Sequence, residues 1–304
     1  MFPLYSRIRR RYWLAALLVV ALGALVQTQH LDDRARLWLQ ERSTPLVDQL
    51  ASVWLPGYRA VIQAKALSGL EKDETSGLTY NPVTGTLFTV TGKNPLLVEL
   101  SRQGEILRRI ELKGFADPEA VEVMDNGLMA IVDERRRQLT TFTLKDDDLT
   151  LDATGLPGFD LGFTEAGNKG FEGLGWDARS HSVILGKERG PLGLFSLPFP
   201  GEDGSVGALQ PLAAEHLGLR DISSLSVDGR TGHLLVLSDE SRMLLELDRT
   251  GKPVSFLSLN GGLNGLESGI EQAEGVAMDE DGNIYIVAEP NLFYVFSKPA
   301  EKAG

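Results

Sequence analysis

The stretch FEGLGWDARSHSVILGKER, from Phe171 to Arg189, places a carboxylate near the start of a sequence that otherwise suits a buried β-strand. Glu172 stands between Phe171 and Gly173, ahead of an apolar run, a polar turn and a second apolar run. Two short apolar runs around a polar turn predict a β-hairpin. An unpaired charge inside an apolar core is costly, so we expect Glu172 to border a polar space.

The same arrangement occurs five times, and this repeat predicts the fold. Each copy has Ser or Glu, then a small residue, then two strands around a turn; the Ser or Glu positions are Ser76, Glu119, Glu172, Ser223 and Glu274, spaced 43 to 53 residues apart. Further short apolar runs predict third strands that begin at Leu96, Gln138, Met243 and Leu292. Such a period with three or four strands per unit is typical of a β-propeller.

We therefore expect an all-β domain, a β-propeller over residues 60–300, and five blades match the five copies of the repeat. A count of six stays open if the segment after Ala60 and a degenerate unit around residues 146–161 form a blade of their own. Repeats of this length disfavour a β-solenoid, whose units are much shorter.

The N-terminus has a different composition from the rest of the chain. Four arginines precede an unbroken apolar run from Tyr12 to Val26, which predicts a cytoplasmic basic segment and a membrane anchor or signal over residues 1–29. We expect an uncleaved transmembrane anchor, with the propeller facing the periplasm of a bacterial cell; the alternative, a cleaved segment, would leave the propeller soluble there. Helical spacing of apolar residues over 30–58 predicts a short helical stalk, whose apolar faces could lie on the bilayer or on the domain.

Composition narrows the classes of partner. The 304-residue chain has no cysteine, so it has neither disulfides nor thiolate metal sites. Its net charge of −12 argues against a nucleic-acid partner. Phosphate-binding loops, dinucleotide fingerprints and G-x-S-x-G motifs are absent from the sequence. These observations leave cations, small ligands and periplasmic proteins as partner classes.

The five repeat positions predict a polar ring around the propeller axis. The first strand of each blade lines the central channel, so we expect the three glutamates to converge near one mouth, with Ser76 and Ser223 completing the ring. At about 6 Å and an effective dielectric constant near 20, each pair of carboxylates would repel by ~3 kcal/mol. A hard cation would relieve this repulsion, and oxygen ligands favour Ca²⁺, hypothesised as the cofactor. Zinc or iron is disfavoured because no histidine stands at a repeat position.

Charged residues at the ends of the second strands should border the same mouth and could form a ligand-binding ring. They are Lys93, Glu134, Arg135, Lys187, Glu188, Arg189, Glu240, Arg242 and Glu289. Their basic members suit an anionic ligand beside a metal. The alternative is a lattice of salt bridges with a purely structural role.

Six segments together resemble the SdiA-regulated (YjiK/CarP-like) β-propeller family: SGLTYNPVTGTLFTVT, GFADPEAVEVMDNGLMAIVDERRRQL, NKGFEGLGWD, GKERGP, TGHLLVLSDESRMLLELDRTGK and QAEGVAMDEDGNIYIVAEPNLFYVF. The resemblance spans about Ala60 to Lys298. It implies an exported or inner-membrane-anchored propeller, with a role in calcium response or homeostasis, or as a scaffold. A phytase-like activity is implied by fold similarity alone.

The single repeats also resemble those of NHL and SMP-30-type propellers. In the latter, a glutamate that begins the first inner strand is a metal ligand, which corresponds here to Glu119, Glu172 or Glu274. This implies a metal-dependent hydrolase of phosphate esters or lactones as the alternative function. The chain does not obviously supply the further Asn and Asp ligands of those enzymes.

Overall fold

The chain forms a five-bladed β-propeller in a computed structural model, which describes residues 12–21, 23, 31–162, 170–199, 207–214 and 217–299. Residues 12–21 are helical, and their apolar side chains from Tyr12 to Val20 are exposed. No helix within the described part of the chain has the length and apolarity needed to cross a bilayer. The end of the predicted Tyr12–Val26 segment, residues 24–26, lies outside the described residues.

Within the described residues from Leu31 onward, two α-helices and one strand precede the first blade. They are α1 (Leu31–Ser43), α2 (Leu46–Leu50) and β1 (Arg59–Ala66), with a 3-10 turn at Leu55–Gly57 between α2 and β1. Proline at position 45 precedes α2, where its missing N–H costs nothing.

Alternating apolar and turn-forming runs then build the next twenty strands of the described residues, grouped in blades. Blade 1 contains β2 (Thr75–Asn81), β3 (Thr86–Thr91), β4 (Leu96–Leu100) and β5 (Ile106–Lys113). Blade 2 contains β6 (Pro118–Val123), β7 (Leu128–Asp133), β8 (Gln138–Thr143) and β10 (Gly158–Asp160). Between β8 and β10 in the chain, β9 (Thr150–Asp152) joins the outer edge of blade 1. Blade 3 contains β11 (Phe171–Asp177), β12 (Ser182–Lys187), β13 (Gly193–Pro198) and β14 (Gln210–Pro211).

The last two blades close the ring. Blade 4 contains β15 (Ser224–Val227), β16 (Leu234–Ser238), β17 (Met243–Leu247) and β18 (Pro253–Ser258). Blade 5 contains β19 (Ala273–Met278), β20 (Ile284–Ala288) and β21 (Leu292–Ser297). Its fourth strand is β1, which pairs antiparallel with β21 from Arg59↔Ser297 to Ala66↔Leu292. Pairing the start of the domain with its end hides the edge of β21 and ties the ring shut.

The four predicted third strands are confirmed, as is a count of five blades. The segment around residues 146–161 forms no sixth blade, because its two short strands join the outer edges of existing blades. β9 pairs in parallel with β5, and β10 pairs with β8. The segment after Ala60 is used by β1 to complete blade 5.

The core is a ring of five apolar clusters, each between two neighbouring blades. The cluster between blades 3 and 4 includes Leu37 of α1. This helix runs along the outer strand β18, and Phe256 donates its backbone N–H to Glu41 at 3.1 Å. Of the two locations left open for the stalk, the described helix α1 therefore lies on the propeller.

Candidate functional site

The inner strands β2, β6, β11, β15 and β19 contact one another in sequence order and surround the axis. Their close approach explains the small residues after the repeat positions. A Cβ atom on Gly275 would come within 2.7 Å of the carbonyl carbon of Gly77 on the next inner strand. Glycine is needed there because no side chain fits that gap.

The five repeat positions lie where the inner strands begin, at one end of the channel, which we call the carboxylate mouth. Three of these strands carry a β-bulge at the glutamate. The register shifts between Pro118 and Ala120, between Phe171 and Gly173, and between Ala273 and Gly275. A bulge leaves its extra residue out of the ladder and redirects its side chain. Glu119, Glu172 and Glu274 are half-buried as a result, rather than part of an apolar core.

The carboxyl groups raise one another's pKa values. Burial is the largest cause for each, and it raises the pKa of Glu119 to about 8, although the Ser76 hydroxyl offsets part of that rise. Burial, with the nearby Asp239 and Glu289 carboxylates, raises the pKa of Glu274 to about 9. Burial together with Glu188, Glu274 and Glu119 holds the pKa of Glu172 well above its usual range. Glu119 and Glu274 both contribute to the raised pKa of Glu172, as expected for side chains that face one space.

Two carboxylate triads lie at the carboxylate mouth, the first on blade 2 and the second across blades 2 and 3. One consists of Asp117, Glu119 and Glu134, the other of Glu134, Glu172 and Glu188, and within each triad the oxygens lie within 4.8 Å of one another. Two oxygens bound at 2.3–2.6 Å to one Ca²⁺ are at most about 5 Å apart. Each triad therefore has the spacing of a partial calcium shell, and Glu134 belongs to both.

The remaining charged residues of the predicted ring form ion pairs or hydrogen bonds outside the triads or at their rim. Lys93 pairs with Glu74 at 3.0 Å, and Arg135 pairs with Asp117 at 2.9 Å. Arg189 pairs with Glu188 and, at 3.0 Å, with Glu240.

The other ring residues make contacts away from the triads. Arg242 lies 3.5 Å from Glu271, and Glu289 accepts a hydrogen bond from Gln272 at 3.0 Å. Buried Lys187 donates to the carbonyl of Arg189.

This salt-bridge lattice stops short of the inner glutamates. Within the described ranges, no cationic group lies within 4.0 Å of Glu119, Glu172 or Glu274. Glu134 is buried and accepts the Gly170 N–H at 2.7 Å. Burial and the carboxylates of Asp117 and Glu188 raise its pKa.

The two serines join neighbouring blades. Ser76 donates its hydroxyl to the backbone carbonyl of Glu119 at 2.8 Å, and Ser223 donates to the carbonyl of Ala273 at 2.7 Å. Neither serine belongs to a triad. These bonds hold the backbone that carries Glu119 and Glu274.

Sequence reasoning missed Asp117, which contributes to the first triad. A second column of the repeat would have found it, since acidic residues stand two positions before the ring at Glu74, Asp117 and Asp221. Asp221 accepts hydrogen bonds from the Ser238 hydroxyl and the Glu240 N–H, the latter at 3.2 Å.

The chain matches one protein family and is similar to several solved structures. The family profile described as SdiA-regulated matches residues 50–297. Among solved structures, a nidogen/laminin complex is similar at 14% identity, a TM-score of 0.48 and coverage of 76% of this chain and 86% of that one. A streptogramin B lyase is similar at 12% identity and a TM-score of 0.47, with coverage of 80% of this chain and 98% of that one. A virginiamycin B lyase from Staphylococcus aureus is similar at 10% identity and a TM-score of 0.43, with coverage of 80% of this chain and 75% of that one.

Proposed function

The chain belongs to the SdiA-regulated family of β-propellers, and from this premise we propose that it binds Ca²⁺ at the carboxylate mouth. Its role would be in calcium response or homeostasis, or as a scaffold whose mouth is ordered by calcium. The observation that carries the proposal is the pair of triads that share Glu134, next to glutamates that no cation of the described chain neutralises.

Protons and calcium would compete for the same oxygens. The raised pKa values of Glu119 and Glu274 mean that the metal-free protein relieves repulsion by keeping protons on these carboxyl groups. A divalent cation can replace those protons, because metal ligands must be deprotonated. Calcium binding should therefore release protons and tighten as pH rises.

The donor set favours calcium over other metals. All atoms of the two triads are carboxylate oxygens, which suit Ca²⁺, Mg²⁺ and Mn²⁺ rather than zinc or copper. Ca²⁺ accepts six to eight oxygens in flexible geometry, whereas Mg²⁺ requires a near-ideal octahedron. Five carboxylates spread over two blades fit the more flexible ion.

We also propose that the propeller is exported and tethered to the inner membrane by Tyr12–Val26, on the sequence grounds given above. The packing of α1 is compatible with such a tether. Arg34, near its start, donates to the carbonyl of Ser241 on the face of the carboxylate mouth, and Gln40 donates to Pro253 at the opposite face. The N-terminal end of α1 thus lies on the side of the carboxylate mouth. Cell fractionation should recover the full chain in the inner membrane, and recovery only as a soluble periplasmic protein would contradict the tether.

A second candidate is a metal-dependent phosphoesterase, favoured by one feature of Arg189. This residue stands beside Glu188, and its buried Nε is a side-chain nitrogen with no hydrogen-bond partner among the described residues. An anionic ligand beside a bound metal could take that hydrogen bond. The calcium-loaded protein would then hydrolyse p-nitrophenyl phosphate, and R189Q would remove this activity; absence of hydrolysis would leave calcium binding alone.

Thermal unfolding with and without calcium tests the main proposal. Chelator-treated protein should be stabilised by about 2.7 kcal/mol when Ca²⁺ is present at 100 times its dissociation constant. E172Q should lose most of this gain, because it removes one charge and keeps the shape. E267Q is the matched control, since Glu267 is exposed and belongs to neither triad.

The metal-free variants separate calcium binding from a structural lattice. If Glu172 only repels its neighbours, E172Q without calcium should be as stable as the parent protein or more stable. If Glu172 instead served a salt bridge, the same substitution would destabilise the metal-free protein. Destabilisation, combined with no response of the parent protein to calcium, would refute the proposed site.

A further inference from the structure

The opposite end of the channel contains a cavity of about 370 Å³. All five blades contribute to it, through the ends of their inner strands and the turns that follow. Its volume falls in the range of small-molecule sites, which is about 300–1,000 Å³. We call this end the opposite mouth.

Aromatic and apolar side chains form much of the cavity wall. Trp176 and Tyr80 line it on different blades, together with Val123, Val227 and Met278. Trp176 donates its indole N–H to Asp125 at 2.9 Å, and the hydroxyl of Tyr80 accepts a hydrogen bond from Arg102 at 2.6 Å. Both rings are thus held by their polar groups, and an organic ligand would meet a preformed apolar wall.

Glu122 is the unusual member of the lining. Its carboxyl accepts hydrogen bonds from the Thr79 hydroxyl at 2.6 Å and the Val123 N–H at 2.9 Å. Within the described part of the chain it has no ion pair. Burial raises its pKa to about 7, so its charge changes near neutral pH.

Most other charged groups of the lining are engaged with the protein itself. Asp228 pairs with Arg230 at 2.9 Å, and Arg179 donates to the carbonyls of Gly229 and Arg230 at 3.1 and 2.8 Å. The charged lining residues other than Glu122 are Asp177, Arg179, Asp228, Arg230, Asp279 and Glu280. Acidic groups outnumber basic ones, which disfavours an anionic ligand.

We propose that the opposite mouth binds an organic ammonium ion with an apolar body, held by the Glu122 carboxylate and the aromatic wall. The ammonium group supplies the cationic partner that Glu122 does not have among the described residues. Its N–H groups can donate to the same carboxylate oxygens that accept hydrogen bonds from Thr79 and Val123. Trp and Tyr rings attract such cations in addition. The apolar body fills the cavity between the blades. This site is independent of calcium at the other end of the channel.

Calorimetry with phenethylammonium as the probe tests the proposal on the whole chain in the presence of chelator. Neutral 2-phenylethanol and anionic 3-phenylpropionate have similar apolar bodies and serve as matched ligands. At pH 8 the ammonium should bind at least about tenfold more tightly than either. Equal binding of the alcohol, tighter binding of the carboxylate or no binding of the ammonium would each overturn the proposal.

Acidity and one variant test the role of Glu122. A primary ammonium stays charged to about pH 10, so its affinity should fall at least fivefold between pH 8 and pH 6 as Glu122 takes up a proton. E122Q should weaken binding about tenfold and abolish this pH dependence, whereas E267Q should change neither. The pH series on the parent protein decides the question if E122Q does not fold. Affinity that is independent of pH, or unaffected in a folded E122Q, would show that Glu122 does not hold the ligand.

Discussion

At the opposite mouth Asp279 accepts three hydrogen bonds, from the backbone and side chain of Asn283 at 2.7 and 2.9 Å and from the Tyr285 hydroxyl at 2.7 Å. At the carboxylate mouth, Glu172 accepts none from the described residues, and its nearest charged neighbours are other carboxylates. Asp279 is therefore held as a structural carboxylate, whereas Glu172 repels its neighbours. The comparison teaches that a carboxylate with a full set of donors, such as Asp279, is structural, and that one without donors, such as Glu172, is available to a cation.

Removing a satisfied carboxylate should have the largest effect. The side chain of Asp279 is fully buried, so D279A should lower the free energy of unfolding by about 3–5 kcal/mol, because it leaves the donors of Asn283 and Tyr285 without an acceptor. Denaturant unfolding measures this. D281A, which removes an exposed partner of Arg102, should stay within about 0.5 kcal/mol. A cost below about 1 kcal/mol for D279A would break the contrast between the two mouths.

Repulsion among the carboxyl groups of the carboxylate mouth should make the metal-free protein less stable as pH rises. Its carboxyl groups keep their protons in the folded state to higher pH than in the unfolded chain, with pKa values of about 8 for Glu119 and 9 for Glu274. This stability is full below about pH 4.5 and is lost as pH rises toward those values. We expect a loss of at least about 2 kcal/mol between pH 5 and pH 8 in chelator.

E172Q isolates the contribution of the carboxylate mouth to that slope. Glutamine resembles the protonated side chain, so the variant should match the parent protein at pH 5 and exceed its stability at pH 8. Groups whose pKa values are lowered, such as Asp228 and Asp248, change the free energy of unfolding only at pH values below this range, so they do not affect the comparison. Parallel curves for parent and variant would show that Glu172 carries no repulsion.

Glu134 tests whether calcium is coordinated or only attracted. E134Q keeps an oxygen to accept the Gly170 N–H but removes the charge shared by both triads. Calcium affinity measured by calorimetry should fall about tenfold, equivalent to about 1.4 kcal/mol. E289Q, outside the triads, should reduce it less than threefold. Equal losses in the two variants would indicate a diffuse electrostatic attraction instead.

The outer ion pairs should matter least. Arg135 is largely exposed beside Asp117, so R135Q should change the free energy of unfolding by no more than about 0.5 kcal/mol. Calcium affinity should rise slightly, because Asp117 loses its competing cation. A large destabilisation would mean that the outer pairs hold the mouth together.

Much of the fold follows from local sequence patterns. Strand pairs, turns and the five repeat positions are set by residues within a few positions of one another. In the hairpin of β11 and β12, for example, Phe171 pairs with Lys187 and Trp176 pairs with Val183. Local patterns alone did not decide between five and six blades, because β9, β10 and β1 are placed by contacts with strands distant in sequence. The convergence of Glu119, Glu172 and Glu274 was predictable because every inner strand begins at the same end of the channel.

By itself, the sequence determined a five-fold repeat and a carboxyl-rich start to three inner strands, because strand period and turn chemistry are local properties. Only the tertiary structure decided which carboxylates lie within 4.8 Å of one another and that Asp117 and Glu134 join them. It also decided that cations of the described residues pair with Asp117 and Glu188 but not with the inner glutamates. It also placed Glu122 in a cavity shared by five blades. Such distances depend on bulges and on how neighbouring blades pack, so residues far apart in the chain set them together.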